Sequence, residues 1–302
     1  MDPVTAGSGV SILMLFAGVL GFMALVMIAS WLTQKLTHNT GWVDVFWSYG
    51  MGVSGAAVAL IAVNADTVNA LPVSPVRRWI VAIMILLWAA RLGTYVALRV
   101  ARSAEDVRYR QLRSKWGGRF EVNLFGFVLV QAPAAALFAI APYLAARPQR
   151  YELGVQDILA ILIWATALGG ESLADAQMKR FKANPKNQGK ICDTGLWAWS
   201  RHPNYFFEWI VWLAYPVMAI STDDPVSWLS LIAPVVMFAV LRFGTGVPPL
   251  EKSMAASRGK AWDEYKAKTS TFLLLPPRKK VDAKSAQKPS PKNPSSKTGT
   301  KR

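Results

Sequence analysis

The sequence has a single cysteine and only two histidines among its 302 residues. Cys192 alone cannot form an intramolecular disulfide bond or a cysteine-based zinc site, and the distant pair His38 and His202 predicts no metal site. Charged residues are also scarce, at 17% of the chain against about 25% in a typical soluble protein. Acidic residues are the scarcer class, with 18 Asp and Glu against 34 Lys and Arg. These shortages exclude a disulfide scaffold and disfavour a soluble enzyme.

Apolar residues, by contrast, make up 53% of the chain and include 13 tryptophans. They stand in uninterrupted blocks of about 20 residues, the length that a helix needs to cross a hydrocarbon core about 30 Å thick. This pattern predicts an all-α polytopic membrane protein with seven transmembrane helices in one domain, residues 1–277, followed by a tail, residues 278–302. The predicted spans are Val10–Leu32, Trp42–Val63, Trp79–Val100, Val122–Ala146, Gly154–Ala174, Tyr205–Ser221 and Val226–Gly246.

The basic residues predict the orientation of the chain in the membrane. They are concentrated after the first, third and fifth spans and in the C-terminal segment, which lie on one side if there are seven spans. Because basic loops are retained in the cytoplasm, we expect the N-terminus outside and the C-terminus in the cytoplasm. The basic residues that fall on the opposite side of this arrangement are Arg77, Arg78, Arg147 and Arg150.

The C-terminal tail, residues 278–302, holds nine Lys and Arg residues and one acidic residue, with almost nothing apolar. We therefore expect it to be disordered. It either attracts anionic lipid at the cytoplasmic surface or is simply solvated. No aromatic residue interleaves its lysines, which disfavours a nucleic-acid partner. Membrane lipid is thus an expected partner, and no feature of the sequence indicates an obligate protein partner.

Polar and ionisable residues inside the predicted spans are costly, so they indicate a functional site. They come from five helices, which suggests that they converge on one interior cavity. These residues are Asp44, Arg91, Tyr95, Glu171, Asp175, Lys179, Asn204, Glu208 and Arg242. Structural alternatives remain open for them. Asp44 and Arg91 would then pair for packing, the carboxylates and lysine of the fifth span would form an i, i+4 ladder, and the tryptophans would form an interfacial belt.

The loop after the third span, residues 102–119, alternates charged and aromatic residues, including Asp106, Arg108 and Tyr109. Arginine binds phosphate, tyrosine stacks on planar rings, and carboxylates accept hydrogen bonds from ribose hydroxyls. This composition fits a nucleotide-type cofactor at the membrane surface, and a plain solvated loop is the alternative. The sequence has no G-x-G-x-x-G fingerprint after a strand and no P-loop, so the predicted site is not of the Rossmann kind.

Several motifs follow one another along the chain. G-W-V-D-V-F-W starts at Gly41, E-D-x-R-Y starts at Glu105, and a helical segment carries Asp175 and Lys179. R-H-P-N-Y occupies residues 201–205, and E-Y-x-x-x-T-S-x-F occupies residues 264–272. In this combination the chain resembles the steroid 5α-reductase family, and specifically its bacterial branch, over residues 41–276.

The resemblance implies a seven-helix membrane enzyme that uses NADPH to reduce the Δ4 double bond of a 3-oxo steroid. For the bacterial branch it implies the inner membrane, with a lipid-like substrate entering from the bilayer. Tyr95 matches a tyrosine of the family's third helix. Together with the loop after the third span, the matching positions predict cofactor contacts at Arg91, Asp106, Arg108, Tyr109, Asp175, Lys179, Lys182, Arg201, His202, Asn204, Tyr205, Glu208 and Arg242.

The chain also departs from the family's pattern. Asp44 stands with Trp47 where animal members carry a Gln-Glu pair, and Trp88 stands where they carry a tyrosine. Residues 244–246 replace histidines of their last helix. These departures leave the substrate and the proton donor open.

The chemistry of enone reduction narrows the catalytic candidates. Hydride adds to the β-carbon, and a hydrogen-bond donor must stabilise the negative charge that develops on the carbonyl oxygen. We expect Asp44 to be this donor, provided that an apolar site keeps it protonated. Tyr49 or Tyr95 is the alternative donor, with Asp44 orienting it.

Two other functions remain open at this point. Isoprenylcysteine-type and phospholipid methyltransferases, which use S-adenosylmethionine, also carry an R-H-P-x-Y element beside a span. They usually have a glycine soon after that tyrosine and a Glu-Glu pair later, where this chain has Phe206, Phe207 and Glu251 followed by Lys252. A lipid-binding or transport protein is the other alternative, although no paired, proline-broken spans are visible.

Overall fold

The computed structural model describes residues 10–63, 74–102, 105–148 and 152–278. Of the predicted tail, all but Arg278 lies outside the described residues, as does Arg150. The helices are α1 Ile12–Thr37, α2 Trp42–Leu60, α3 Pro75–Val100, α4 Val107–Trp116, α5 Phe120–Leu129, α6 Gln131–Ala145, α7 Val155–Ala183, α8 Leu196–Trp199, α9 Pro203–Ala219, α10 Ile232–Phe243, α11 Val247–Arg258 and α12 Lys260–Lys268. Short 3₁₀ turns lie at Gly117–Arg119, Pro185–Asn187 and Pro225–Leu231.

The chain is an all-α polytopic membrane protein, as predicted. Within the described residues, six helical segments are long and apolar enough to cross a membrane: α1, α2, α3, the run from α4 to α6, α7, and the run from Pro225 to the end of α11. The predicted sixth span corresponds to α9, which has 17 residues and is therefore about 25 Å long, less than a typical hydrocarbon core. The total of seven spans stays a prediction.

Helices α2 and α3 approach closely because small residues face each other across their interface. A side chain at Gly52 would meet Ala89, and one at Gly55 would meet Ile85 at 2.7 Å. Small residues are the usual means by which helices pack tightly in a membrane. This contact fixes the position of α3, which carries Arg91.

The interior between the helices is filled by aromatic rings. Trp88 packs edge-to-face against Trp47 and Trp212, with ring centroids 6.2 Å and 5.2 Å away. Phe138 lies 4.9 Å from the Trp212 ring. Edge-to-face pairs of this kind add to the stabilisation from burial alone. Trp47 is therefore a core residue, and the interfacial belt proposed for it is not what the structure shows.

Among the described residues, the three arginines on the predicted outer side have structural partners. Arg77 and Asp157 form a fully buried ion pair, with Nε and Oδ1 2.9 Å apart. Arg78 donates to the carbonyl oxygen of Ala59 over 2.9 Å, and Arg147 donates to that of Val58 over 2.6 Å. Because the last carbonyls of a helix have no partner within it, these two guanidinium groups cap the end of α2.

Candidate functional site

A guanidinium from α3 joins two carboxylates of α7 inside the bundle. Nη1 of Arg91 lies 2.5 Å from Oε1 of Glu171, and Nη2 bonds to Asp175. The two carboxylates stand one helical turn apart, as their spacing predicts. Lys179, one turn further, is exposed and joins no such ladder. The partner of the α7 carboxylates, Arg91, thus lies 80 residues before Glu171 and 84 residues before Asp175 in the chain.

Glu208 of α9 extends this buried cluster. Its carboxylate accepts hydrogen bonds from Nε1 of Trp88 over 2.9 Å and from Nε1 of Trp212 over 3.0 Å. Its carboxyl group lies beside that of Glu171 and so joins the cluster from a third helix. Side chains from three of the five predicted helices thus meet in the interior, whereas Asp44 and Arg242 lie elsewhere. We call Arg91, Glu171, Asp175 and Glu208 the buried charge cluster.

Asp44 lies in a different environment from the expected one. Its Oδ2 is 2.6 Å from Nη2 of Arg108, and its Oδ1 accepts a hydrogen bond from the Tyr109 hydroxyl over 2.8 Å. The expected apolar site is not what surrounds this carboxyl group, because Arg108 faces one of its oxygens and the Tyr109 hydroxyl faces the other. Asp44 is an acceptor that holds α4 against α2. The pairing with Arg91, which was the structural alternative, does not form.

The segment before α4 is fixed by carboxylates. Asp106 caps α4, because its Oδ1 accepts from the backbone N–H of Arg108 over 3.0 Å. Glu105 Oε1 accepts from the Thr40 hydroxyl over 2.5 Å and from Nη2 of Arg113 over 3.0 Å. Burial would raise the pKa of both carboxyls, but these donors and the arginines bring the pKa of each below its ordinary value. Both are therefore held as carboxylates.

The R-H-P-N-Y element is tied to the C-terminal segment. The Arg201 backbone N–H donates to the carbonyl oxygen of Ser270 over 2.8 Å. Its side chain donates to Glu251 Oε1 over 2.8 Å, to the Thr269 carbonyl oxygen over 2.7 Å and to Thr271 Oγ1 over 2.8 Å. Arg201 thus connects the start of α9 to Glu251 and to the residues after α12. We call these contacts the Arg201 latch. The sequence predicts Arg201 as a cofactor contact and gives no indication of this structural role.

His202, the next residue, is buried beside the same glutamate. Its Nε2 lies 3.3 Å from Glu251 Oε1, and its ring stacks on that of Tyr205 with centroids 5.7 Å apart. Burial lowers the pKa of this histidine below its ordinary value, despite the opposing effect of Glu251. At neutral pH the ring is therefore uncharged.

A cavity of about 920 Å³ lies where these elements meet. Such a volume is at the upper end of the range of small-molecule sites, about 300–1,000 Å³. We call it the main cavity. The predicted site residues that line it are Tyr95, Asp106, Asp175, Lys182, Arg201, His202, Asn204 and Tyr205.

Other predicted site residues lie outside the lining of the main cavity. Arg91, Glu208, Asp44, Arg108 and Tyr109 stand behind it in the two networks described above. Lys179 is also absent from the lining. Tyr49 packs on Gly93, is 41% exposed, and hydrogen bonds to Thr94 Oγ1 over 2.8 Å. Arg242 lines a second, smaller cavity.

Sequence reasoning missed several lining residues. Positive charge is added to the wall by Arg99, Arg110, Lys190 and Arg258. Nε of Arg258 is buried, and no described residue forms a hydrogen bond with it. Trp262 and Tyr265 of α12 also line the cavity. These two aromatic residues stand three apart in α12, so they lie on one side of the helix, the side that borders the cavity.

Comparison with known proteins leads to a family. The chain is 28% identical over 237 residues to "Uncharacterized protein C594.04c" of Schizosaccharomyces pombe (strain 972 / ATCC 24843). The aligned region covers 66% of this chain and 63% of that protein. The chain thus spans less than two thirds of the length of this relative. No solved structure matches it. The pattern of DUF1295, a membrane family related to steroid 5α-reductase-like proteins and described as "Protein of unknown function", matches residues 30–269. The chain therefore belongs to the DUF1295 family.

Proposed function

We propose that this protein is a membrane-embedded, NADPH-dependent reductase of the C=C bond of a lipid-like enone, and specifically of a 3-oxo-Δ4 steroid. The observation that carries the proposal is the wall of the main cavity. It presents six basic side chains, Arg99, Arg110, Lys182, Lys190, Arg201 and Arg258, against three acidic ones, Glu105, Asp106 and Asp175.

The donors in this wall fit a polyanionic dinucleotide. Nε of Arg258 is buried and has no hydrogen-bond partner in the described part of the chain, and a buried donor without a partner is costly unless a ligand satisfies it. Phosphate is the group that arginine binds best. Arg258, Lys182 and Asn204 would hold NADPH, which supplies the hydride when bound. The stacked rings of His202 and Tyr205 offer a planar surface beside them.

Tyr95 is the proton donor that the geometry favours. It lines the main cavity, lies within hydrogen-bonding reach of Asp175, and has the Arg91 guanidinium 5.5 Å from its ring. Its one O–H, which Asp175 would hold in place before the substrate binds, would turn to the developing enolate oxygen and stabilise it. Asp44, with both oxygens occupied by donors from α4, would serve only to position that helix.

The test is a thermal-shift titration of the full chain in detergent with NADPH and, separately, with S-adenosylmethionine. Only a bound ligand stabilises the protein by mass action. Arg258→Gln should weaken NADPH binding about tenfold, the loss expected for one charged contact. Arg180→Gln, which changes an exposed arginine of α7 outside the cavity lining, should leave it unchanged.

Activity is then followed as loss of NADPH absorbance with a panel of enones that includes 3-oxo-Δ4 steroids. Stabilisation by S-adenosylmethionine but not by NADPH would refute the reductase proposal and indicate a methyltransferase. Retention of lipid without binding of either cofactor would point to a lipid-binding or transport protein.

A further inference from the structure

A second cavity lies on the far side of the Arg201 latch from the main cavity. It has a volume of about 370 Å³ and lies between the C-terminal end of α10 and the residues that follow α12. Its wall includes Arg242, Lys266, Thr269, Thr271, Phe272 and Arg278. We call it the Arg242 cleft.

The cations of this cleft are only partly neutralised by the protein. Lys266 lies 3.0 Å from Asp263, and Arg201, which also borders the cleft, pairs with Glu251. Arg242 and Arg278 form no ion pair within the described residues. Two positive charges in one small cleft repel each other, so an anion bound between them would be stabilised.

Hydroxyl groups line the same cleft. Thr269 is only 4% exposed, and its Oγ1 is buried with no hydrogen-bond partner among the residues that the structure describes. Thr271 accepts a bond from Arg201 over 2.8 Å, which leaves its own O–H free to donate. A buried hydroxyl without a partner is costly, so a ligand that accepts its hydrogen bond gains that energy. Cations beside hydroxyl donors are the groups that bind phosphate oxygens.

The apolar side of the cleft faces outward along α10. The ring of Phe238 lies 5.2 Å from that of Phe272 and 5.8 Å from that of Phe243, which is 67% exposed. Val235 and Val240 of the same helix are also exposed. Since α10 belongs to a segment long and apolar enough to cross a membrane, an exposed apolar face of this kind would lie against lipid. The cleft therefore lies where a headgroup meets its acyl chains.

We propose that the Arg242 cleft binds the phosphate of an anionic phospholipid, with Arg242 and Arg278 as its counter-ions and Thr269 as a hydrogen-bond donor. The acyl chains lie along the exposed face of α10. This site does not depend on the proposed reductase activity, because it shares only the Arg201 latch with the main cavity.

The experiment measures the stability of the full chain in detergent with added phosphatidylglycerol, with added phosphatidylcholine, and with inorganic phosphate alone. We expect stabilisation by phosphatidylglycerol only. Arg242→Gln and Thr269→Val should each weaken this response about tenfold, the loss of one charged or buried contact. Arg180→Gln is the matched control and should retain it.

Three results would overturn the proposal. Equal stabilisation by phosphatidylcholine would mean unspecific lipid contact, and a response to inorganic phosphate alone would mean a free-anion site. Weaker NADPH binding by Arg242→Gln, without any effect of phosphatidylglycerol, would assign the cleft to the dinucleotide. Thr269→Val changes the segment that Arg201 contacts. If this variant does not fold, Arg242→Gln alone decides whether the cleft binds the phospholipid. NADPH binding is read separately, so failure of the reductase proposal leaves this result unaffected.

Discussion

Replacing Arg91 by leucine tests the buried charge cluster most directly. Glu171 is 3% exposed and Asp175 is 6% exposed, so the variant leaves two buried carboxyl groups without the guanidinium that faces them. Removing one partner of a buried ion pair costs about 3–5 kcal/mol. We expect a loss of this size in the free energy of unfolding, because both carboxylates lose their counter-ion at once.

The assay is unfolding in mixed micelles with increasing denaturing detergent, followed by tryptophan fluorescence. Arg180→Leu removes an exposed arginine from α7 and should change the free energy of unfolding by less than about 0.5 kcal/mol. Glu171→Gln should recover part of the loss when it is combined with Arg91→Leu, since it removes one of the unbalanced acids.

This double-mutant cycle also gives the result that would refute the reasoning. Residues in one ion-pair network show coupling of about 0.5–3 kcal/mol, whereas independent sites add within about 0.5 kcal/mol. Additive effects of Arg91→Leu and Glu171→Gln would mean that the guanidinium does not balance Glu171. The cluster would then be a set of separate contacts.

Three further predictions concern the donor, a turn and the effect of pH. Tyr95→Phe should lower the rate of enone reduction by a factor of about 10²–10³, whereas Asp44→Asn should keep this rate within about tenfold at saturating NADPH. A larger loss in Asp44→Asn than in Tyr95→Phe would indicate Asp44 as the donor. Gly195 has φ 58° and a side chain there would meet Gln177 at 2.7 Å, so Gly195→Ala should lower the free energy of unfolding by at least about 1 kcal/mol. Gly118→Ala, in open space, should not do so in the same melt. The pKa of Asp106 is lowered in the fold, so its stabilisation is fully present above its unfolded pKa of about 4 and is lost as pH falls through its folded pKa. Asp106→Asn should therefore reduce the loss of unfolding free energy on acidification. An unchanged dependence on pH would contradict the assignment.

Hydropathy predicted most of the fold because long apolar blocks have few alternatives to membrane helices. It misplaced ends and breaks, which depend on local geometry. The predicted span 122–146 is two helices, α5 and α6, and the first part of the last span is the 3₁₀ turn Pro225–Leu231. Helix α7 continues nine residues past its apolar block, to Ala183, because a helix leaving the bilayer need not stop there.

The candidate site was predicted as a set of residues but not as a set of pairs. The face shared by Glu171 and Asp175 follows from helical spacing, yet nothing in the spacing indicates Arg91 as their partner. Asp44 shows the same limit: its donors, Arg108 and Tyr109, lie more than 60 residues away. Long-range pairing depends on how helices pack, and the charge of a residue does not reveal it.

The Arg201 latch has a consequence for biosynthesis. Beyond the Arg201 contacts, Ser200 Oγ donates to the carbonyl oxygen of Phe272 over 2.8 Å, and the backbone N–H of Leu275 donates to that of Trp199 over 3.2 Å. The partners of the loop between α8 and α9 are therefore translated some 70 residues after it. While the ribosome is still translating the residues up to Leu275, the preceding helices are already inserted, but the loop between α8 and α9 lacks its hydrogen-bond partners. Nascent chains arrested before Phe272 should be membrane-integrated yet open to protease at this loop, and release of the last residues should close it.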